Sequence, residues 1–237
     1  MARQGQPNAA GYAALEPMTS PRTLTVYTDY KSPYAYLAKD LAYELERDFP
    51  IRLDWRPYIL DIPSYLGSAT VDPSGNVLEE VRNAHQWRRV RYSYMDCRRQ
   101  ARKRGLTIRG PRKIWDSTLA AAGMLFAQRA GEAVFRAYHN SVFERFWQRA
   151  LDIESPAAVA AVLSCSGAAS SEFISQAEAL RGEVAAISRA AEARGVFGVP
   201  TFVLAGESSG AGELQGADEL YWGSEHLPDL RNLLAAN

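Results

Sequence analysis

The sequence predicts an α/β fold in which the two ends of the chain build one sheet around a long helical segment. Strand-like patterns occur in residues 23–60 and return after residue 195, whereas residues 61–194 are helical in character. The first part has the order β-α-β and the last part the order β-β-α. Because a β-α-β unit normally sets two parallel strands side by side, both ends can share a sheet. This order predicts a thioredoxin-like domain formed by residues 23–60 and 195–237, with an all-helical insertion.

The first unit follows from a change in the spacing of apolar residues. Residues 23–30 are rich in β-branched and aromatic side chains, which favours a strand. From Tyr34 onward apolar residues recur at every third or fourth position, which is typical of a helix, and residues 51–55 alternate as a second strand. Residues 1–22 mix Gly, Pro, Asn, Gln and Glu without an apolar signal segment. We therefore expect them to form a flexible N-terminal arm.

The middle of the chain is predicted to be almost free of strands. Several Pro and Gly residues in 59–76 favour a loop, and the segment that follows is rich in Ala, Arg, Glu, Gln and Leu. Gly residues and Ser-Pro steps separate the helical stretches. The predicted helices are 77–104, 113–130, 131–149, 156–164, 171–180 and 181–194.

The strand signal returns near the C-terminus. Residues 197–204 have the pattern of a buried strand, and residues 219–222 are its expected hairpin partner. The connection 205–216 between them carries Gly and Glu. Gly223 and Ser224 then precede a final helix whose leucines recur at helical spacing.

The charges of the chain balance overall but are segregated along it. There are 27 basic and 27 acidic residues, yet residues 82–113 contain 12 basic residues and one acid, a net charge of +11. Three interpretations of this basic segment stay open: a solvated helix face, a nucleic-acid surface, or a wall that binds small anions. The neutral total argues against a nucleic-acid partner, and we expect none.

Composition places the chain among globular proteins, because 47% of its residues are apolar and 23% are charged. No apolar run approaches the roughly 18 residues that span a bilayer, so no membrane partner is expected. Cys97 and Cys165 stand far apart in a chain without an export signal, which favours reduced thiols and a cytoplasmic location. The three histidines lack ligand-like spacing relative to either cysteine, so we predict no metal site. The arginines around Cys97 would lower its pKa if they lie close, although a structural cysteine is the simpler interpretation.

One short motif lies where the first strand gives way to the first helix. Ser32-Pro33 opens that helix, and helix capping alone explains the pair. The same position also offers free N–H groups and a partial positive charge to an anion such as a thiolate. In a thioredoxin-like order a Cys-x-x-Cys would stand here, but residues 32–35 read Ser-Pro-Tyr-Ala. Dithiol exchange at this position is therefore excluded.

A second motif, Val199-Pro200, precedes the third strand of the predicted sheet and faces the first helix. The simplest interpretation is a trans proline that starts a strand, since only about 5–6% of X-Pro bonds in folded proteins are cis. A proline at this place in the architecture, facing the first helix, makes a cis bond more frequent than that general rate. It would leave the N–H and C=O of Val199 free to pair with an extended ligand.

Four segments together resemble a known family. They are 29–37 (DYKSPYAYL), 55–60 (WRPYIL), 196–201 (VFGVPT) and 221–225 (YWGSE). Over residues 23–235 the chain is similar to 2-hydroxychromene-2-carboxylate isomerases. These enzymes belong with the kappa-class glutathione transferases in the DsbA-like branch of the thioredoxin superfamily.

The resemblance implies a glutathione site. In this family the Ser before the Pro, here Ser32, contacts the sulfur of glutathione; for this chain another small thiol stays open. The backbone of Val199, beside Pro200, pairs with the cysteinyl unit. Ser224 and Glu225 stand where the family binds the γ-glutamyl end, although the family commonly has Asp-Arg where this chain has Glu-His. The implied substrate is a small aromatic carboxylate, and the implied substrate-site residues are Tyr34, Arg56, Asp96, Arg99, Asp116 and Ser117.

The leading hypothesis from the sequence is a glutathione-dependent isomerase that opens a ring or converts cis to trans in an aromatic unsaturated carboxylate. A kappa-type glutathione transferase or peroxidase would use the same thiol site and stays open. A non-catalytic thioredoxin-like binding module stays open as well, because the site lacks Cys-x-x-Cys and carries Glu225-His226. The sequence leaves a homodimer open.

Overall fold

The computed structural model describes residues 21–205 and 218–236. Within them both ends of the chain form one four-stranded sheet, and the segment between is mainly helical. In chain order the elements are β1 (Arg22–Thr28), α1 (Pro33–Asp48), β2 (Ile51–Pro57), α2 (Ile62–Leu66), β3 (Ala69–Val71), β4 (Val77–Glu80), α3 (Ala84–Lys103), α4 (Thr118–Ala130), α5 (Glu132–Trp147), α6 (Pro156–Cys165), α7 (Ser170–Ala193), β5 (Thr201–Leu204), β6 (Glu219–Trp222), a 3₁₀ turn (Ser224–His226) and α8 (Leu227–Ala235).

The four-stranded sheet has the order β2-β1-β5-β6. Strand β1 runs parallel to β2, with Val26 opposite Trp55, and antiparallel to β5, with Val26 opposite Phe202. Residues 24–28 of β1 are all buried, because a central strand is covered on both faces and cannot alternate with solvent. The predicted β-α-β … β-β-α order is confirmed.

Helix α1 begins where the sequence predicts. The Ser32 hydroxyl accepts a hydrogen bond from the amide of Ala35 at 3.2 Å, and Pro33 occupies the first helical turn. The helix ends at Phe49, whose amide donates to the carbonyl of Leu45 at 2.9 Å. Only residues 29–32 separate β1 from α1. The N-terminus of α1 therefore lies at the carboxyl end of the central strand.

The insertion has a core of its own around α4, in which residues 119–127 are buried. Helices α5, α6 and α7 pack against α4. Tyr138 of α5 is fully buried and donates its hydroxyl to the carbonyl of Ala120 at 2.8 Å. This core fixes α4, and with it the residues just before α4 that approach the sheet.

The insertion differs from the prediction near its start, because it is not all-helical. Strands β3 and β4 form an antiparallel hairpin where we predicted a loop and the beginning of a helix at residue 77. The carboxylate of Asp72 accepts from the amide of Asn76 at 2.9 Å and closes the turn. Helix α3 starts only after Asn83, which forms a capping box with Gln86. The turn closed by Asp72 and the capping box at Asn83 thus outweigh the helix propensity of the residues between them.

A second difference is that one helix, α7, replaces the two predicted at 171–180 and 181–194. Its buried residues, Phe173, Leu180, Val184 and Ala191, are seven, four and seven positions apart, so they form one continuous stripe. Gly182 lies inside this helix and does not interrupt it.

The predicted strand at 197–204 is shorter in the structure, because β5 begins at Thr201 and residues 197–200 form a loop. Nearly all of the expected N-terminal arm, residues 1–22, lies outside the described residues, and so does most of the connection 205–216. In the described ranges no helix is both long enough and apolar enough to cross a membrane.

Gly123→Ala should destabilise the insertion. A Cβ atom at position 123 would overlap the hydroxyl of Tyr138 and lie 3.1 Å from Cγ1 of Val159. Tyr138 would have to move and lose its bond to Ala120, so we expect the free energy of unfolding in urea to fall by about 1–3 kcal/mol.

Gly182→Ala is the matched control. A Cβ at position 182 meets no atom within 4 Å, so Ala should raise the free energy of unfolding by about 0.5–1 kcal/mol through helix propensity alone. Equal changes in the free energy of unfolding of the two variants would contradict the packing described around α4.

Candidate functional site

A cavity of about 1000 Å³ opens where the sheet meets the insertion. Ser32, Tyr34 and Val199 line it from the thioredoxin-like part of the chain. Side chains of α2, β3, α3 and the loop after α3 line it from the insertion. This volume is at the upper end of the range for small-molecule pockets, so it has room for two small ligands together.

The Ser32 hydroxyl lies at the junction of the two parts. It is 3% exposed, accepts from the amide of Ala35 and donates to the carbonyl of Val199 over 3.4 Å. The second bond is at the long limit for a hydrogen bond and is therefore weak. A ligand atom that accepts more strongly than the Val199 carbonyl can replace it as the acceptor of this hydrogen bond while the capping bond to Ala35 stays in place.

The Val199–Pro200 peptide bond is cis, as the architecture suggested. The loop before it is held by Thr201, whose hydroxyl donates to the carbonyl of Gly198 at 2.7 Å. A Cβ at Gly198 would lie 2.5 Å from Nε1 of Trp222, so only glycine allows this close approach. The expectation that the Val199 carbonyl is unpaired was wrong, because it accepts the bond from Ser32.

The two residues predicted for the γ-glutamyl end lie beside this loop. The amide of Gly223 donates to the carbonyl of Pro200 at 2.9 Å, which places the following 3₁₀ turn next to the cis proline. Gly223 has φ +100°, and the carboxylate of Glu225 folds back over the space that a side chain at Gly223 would fill. Ser224 and Glu225 are thus next to Pro200 in space, but they are not among the described residues that line the cavity.

Lys31 is a site residue that the sequence reasoning missed. Its side chain is 5% exposed, lines the cavity next to Ser32, and forms an ion pair with Asp29 at 2.9 Å. Its ammonium group also donates to the hydroxyl of Ser117 at 3.0 Å. A buried lysine beside an N-cap serine is a fixed positive charge at the place where an anion would bind. Asp29 is two positions away, but the other partner, Ser117, is 86 positions away, so local sequence does not show that Lys31 reaches the cavity.

Large aromatic side chains form much of the cavity wall. Phe197 and Trp222 lie at its edge with ring centroids 4.9 Å apart, and they are 62% and 47% exposed. Exposed aromatic pairs at a cavity edge are suited to hold a flat, apolar ligand. The aromatic residues of the wall are Tyr34, Tyr65, Trp87, Tyr94, Trp115, Phe197 and Trp222.

Of the six substrate-site residues that the resemblance implied, the structure places Tyr34 in the cavity wall. Burial raises the pKa of its hydroxyl, and the neighbouring Cys97 raises it further. The hydroxyl therefore stays protonated and contacts Cys97 and Ser93 of α3. Tyr34 thus links the start of α1 to α3 across the wall of the cavity.

The structure does not bring Arg56, Asp96 or Arg99 into the cavity wall. Arg56 lies on the outer strand β2 and pairs with Asp54 at 2.8 Å. Asp96 accepts from the side chain of Gln100 at 2.8 Å and lies 3.5 Å from the guanidinium of Arg99. These three predicted residues therefore have partners within their own elements.

Asp116 and Ser117 lie just before α4, and neither is among the described residues that line the cavity. Asp116 accepts from the amide of Thr118 at 2.9 Å, which forms an Asx turn at the start of α4. Ser117 is fully buried and holds the ammonium group of Lys31. Ser117 therefore does not line the cavity itself but positions the ammonium group of Lys31, which does.

The two cysteines do not form a disulfide. Cys97 is fully buried, and burial raises its pKa to about 12 in spite of the surrounding arginines. The prospect of a lowered pKa was therefore wrong, and the structural interpretation of this thiol is the better one. Cys165 is exposed at the end of α6. In the described part of the chain, no three His, Cys, Asp or Glu side chains lie together as metal ligands would.

Half of the basic segment 82–113 faces the cavity, where it is joined by Arg149 from the end of α5 and by Lys31. No Asp or Glu is among the described lining residues. This arrangement favours the anion-binding interpretation for these side chains over a solvated helix face. The basic residues of the lining are Lys31, Arg82, Arg89, Arg91, Arg98, Arg112, Lys113 and Arg149.

Comparison with known proteins agrees with this architecture. The family model of the DSBA-like thioredoxin domain matches residues 23–235. A 2-hydroxychromene-2-carboxylate isomerase from Pseudomonas putida is 27% identical over 205 residues, which cover 85% of this chain and 88% of that protein. Another from Pseudomonas sp. (strain C18) is 28% identical over 210 residues, 87% of each chain.

The fold also matches a solved structure. A 2-hydroxychromene-2-carboxylate isomerase superposes with a TM-score of 0.65 at 22% identity and covers 90% of this chain and 95% of that one. The predicted DsbA-like, thioredoxin-like fold is thereby confirmed, with a mainly helical insertion. The chain belongs to the family of DSBA-like thioredoxin domains.

Proposed function

We propose that this protein is a glutathione-dependent isomerase of an aromatic, unsaturated carboxylate. The observation that carries the proposal is the Ser32 hydroxyl, buried at the N-terminus of α1 and weakly bonded to the carbonyl of Val199. The curated relatives, both named 2-hydroxychromene-2-carboxylate isomerase, support the same reaction class. We also infer a cytoplasmic location, which the two unpaired thiols Cys97 and Cys165 support.

The site suits a small thiol bound from solution. Helices stabilise anions at their N-termini, and α1 presents its N-terminus at the cavity together with the donor of Ser32 and the charge of Lys31. The cis-proline loop places backbone groups of Val199 opposite this helix end. The chain has no thiol of its own here, since residues 32–35 read Ser-Pro-Tyr-Ala and Cys97 stays protonated. In the proposed reaction the thiol nucleophile would come from a bound ligand such as glutathione.

When bound, such a thiol supplies a nucleophile that adds reversibly to a conjugated carbon and is later expelled, so none is consumed. Ser32 would donate a hydrogen bond to the sulfur and so favour the thiolate form near neutral pH. Asp29 balances the charge of Lys31, but only the ammonium member of the pair, held in place by Asp29 and Ser117, lines the cavity. The ammonium group can therefore stabilise the negative charge that develops on the substrate when the carbon–carbon double bond loses its π character.

The cavity wall suits the substrate side of this reaction. Flat aromatic groups pack well against Tyr94, Trp115 and the Phe197–Trp222 pair, and guanidinium groups bind carboxylates with two parallel hydrogen bonds. A kappa-type transferase would use the same walls and thiol site. Consumption of glutathione distinguishes that reaction from the isomerisation, which consumes none.

Ser32→Ala should impair catalysis much more than folding. Loss of a hydrogen-bond donor to the developing anion lowers kcat/KM by about 10²-fold in comparable sites. The bound thiol should also have a higher pKa, so the acidic limb of the pH–rate profile should move to higher pH. The measurement is an absorbance assay of chromene carboxylate isomerisation across pH, with and without glutathione.

Ser155→Ala is the matched control for lost capping. Ser155 also precedes a proline and accepts from the amide of Ala158 at 3.3 Å, so both variants lose one N-cap, worth about 1 kcal/mol. Ser155 is not among the residues that line the cavity. If Ser155→Ala and Ser32→Ala lose the same activity, or if activity needs no thiol, the proposed role of Ser32 is wrong.

Lys31→Met should reduce both activity and stability. We expect kcat/KM to fall by about 10-fold. The free energy of unfolding should fall by about 3 kcal/mol, because Asp29 would stay buried without its charge partner. Lys31→Arg should restore most of the activity, and Ser117→Ala, which removes one bond to Lys31, should raise KM by about 3-fold. A Lys31→Met variant with unchanged kcat/KM but lower stability would show that Lys31 serves the fold alone.

A further inference from the structure

The cavity carries more positive charge than a single carboxylate needs. Two of its cations are neutralised, since Lys31 pairs with Asp29 and Lys113 pairs with Glu154 at 2.5 Å. In the part of the chain that the structure describes, the six lining arginines have no carboxylate partner within ion-pair distance. They are Arg82, Arg89, Arg91, Arg98, Arg112 and Arg149.

Three of these arginines come together around the loop at Gly110, and we call Arg98, Arg112 and Arg149 the arginine triad. Arg98 lies on α3, Arg112 lies in the loop after α3, and Arg149 lies just after the end of α5. Nε of Arg149 donates to the carbonyl of Gly110 at 2.8 Å, and Nε of Arg98 donates to that of Ile108 at 3.3 Å. These bonds anchor the side chains but use only part of the five N–H donors that each guanidinium carries. The remaining donors can serve a ligand.

The triad holds like charges close together. Burial lowers the pKa of Arg149, and repulsion from Arg112, Arg109 and Arg98 lowers it further. Arg149 also adopts a left-handed backbone conformation, φ +61°, which no other non-glycine residue of the described ranges shows. Its backbone conformation and the bond to Gly110 thus keep the guanidinium beside the other two, although repulsion opposes this position. A bound anion would remove that repulsion.

We propose that the arginine triad binds a doubly charged acid group of the substrate, either two carboxylates or one phosphate. One carboxylate is satisfied by a single bidentate guanidinium, so three neighbouring guanidinium groups in one cavity wall match a dianion better than a monoanion. The neighbouring rings of Tyr94 and Trp115 line the same cavity and would hold the aromatic body. This inference rests on the proposed function, because it names the substrate class of the same cavity.

Binding of simple probes tests the proposal without turnover. Isothermal titration calorimetry with benzoate, phthalate and phenyl phosphate compares one charge, two carboxylates and one phosphate on the same ring. We expect one of the dianions to bind at least about 10-fold more tightly than benzoate at low salt, and the preference to shrink as salt screens the charges. Whichever dianion binds more tightly identifies the source of the two charges.

Variants of the triad should remove this preference. Arg112 makes no side-chain hydrogen bond within the described residues, so Arg112→Gln should fold normally and weaken dianion binding by about 3-fold. The triple variant R98Q/R112Q/R149Q should weaken it by about 30-fold, while glutathione binds as before. A thermal melt reports whether each variant is folded.

The control variant R88Q/R102Q/K103Q removes three charges from α3, the helix that carries Arg98, at positions outside the cavity lining. It should change dianion binding by less than about 2-fold. Equal binding of benzoate and both dianions, or an equal loss in the control, would overturn the proposal. So would a triad variant that loses glutathione instead, or an oligonucleotide that displaces phthalate. If dianions bind as expected but no thiol binds, the triad stands and the proposed function fails.

Discussion

The site depends on one buried carboxylate, that of Asp29, which joins three parts of the chain. Its oxygens accept from the amides of Lys31 at 3.1 Å and Leu60 at 2.8 Å, and they pair with the Lys31 ammonium. Through Lys31 the same group reaches Ser117 at the start of α4. Asp29 thereby fixes the ends of β1 and β2 against the insertion, so that Ser32 faces the cavity. A buried charge of this kind is tolerated only because each of its partners is in place.

Local sequence was sufficient to predict the frame but not the site. The strand–helix–strand order and the start of α1 followed from apolar spacing and from Ser-Pro capping, which act within a few residues. The same capping signal occurs at Ser155-Pro156, where it opens α6 in the same way. Capping alone cannot tell these two serines apart. Only Ser32 has Val199 opposite it, 167 positions away in the chain, and the role proposed for Ser32 depends on this contact.

The site residue that sequence reasoning missed, Lys31, depends on a distant partner, Ser117. The misplaced residues Arg56 and Arg99, in contrast, pair within their own elements. The basic segment was evident from its charge, yet Arg99 points to Asp96 while Arg98 reaches the loop at Ile108. Adjacent residues on α3 therefore have different partners, because different elements pack against the two sides of the helix. The β3–β4 hairpin is a further case. Neighbouring residues determine its turn and the cap of α3, but the pairing of its two strands joins residues that are farther apart.

The most direct test of the central claim is a crystal structure of the protein soaked with glutathione. The account predicts that the sulfur lies within hydrogen-bond reach of the Ser32 hydroxyl, with the cysteinyl backbone alongside Val199. The Ser32 hydroxyl should then have left the carbonyl of Val199. Glutathione bound elsewhere in the cavity, with the bond from Ser32 to Val199 intact, would contradict the account.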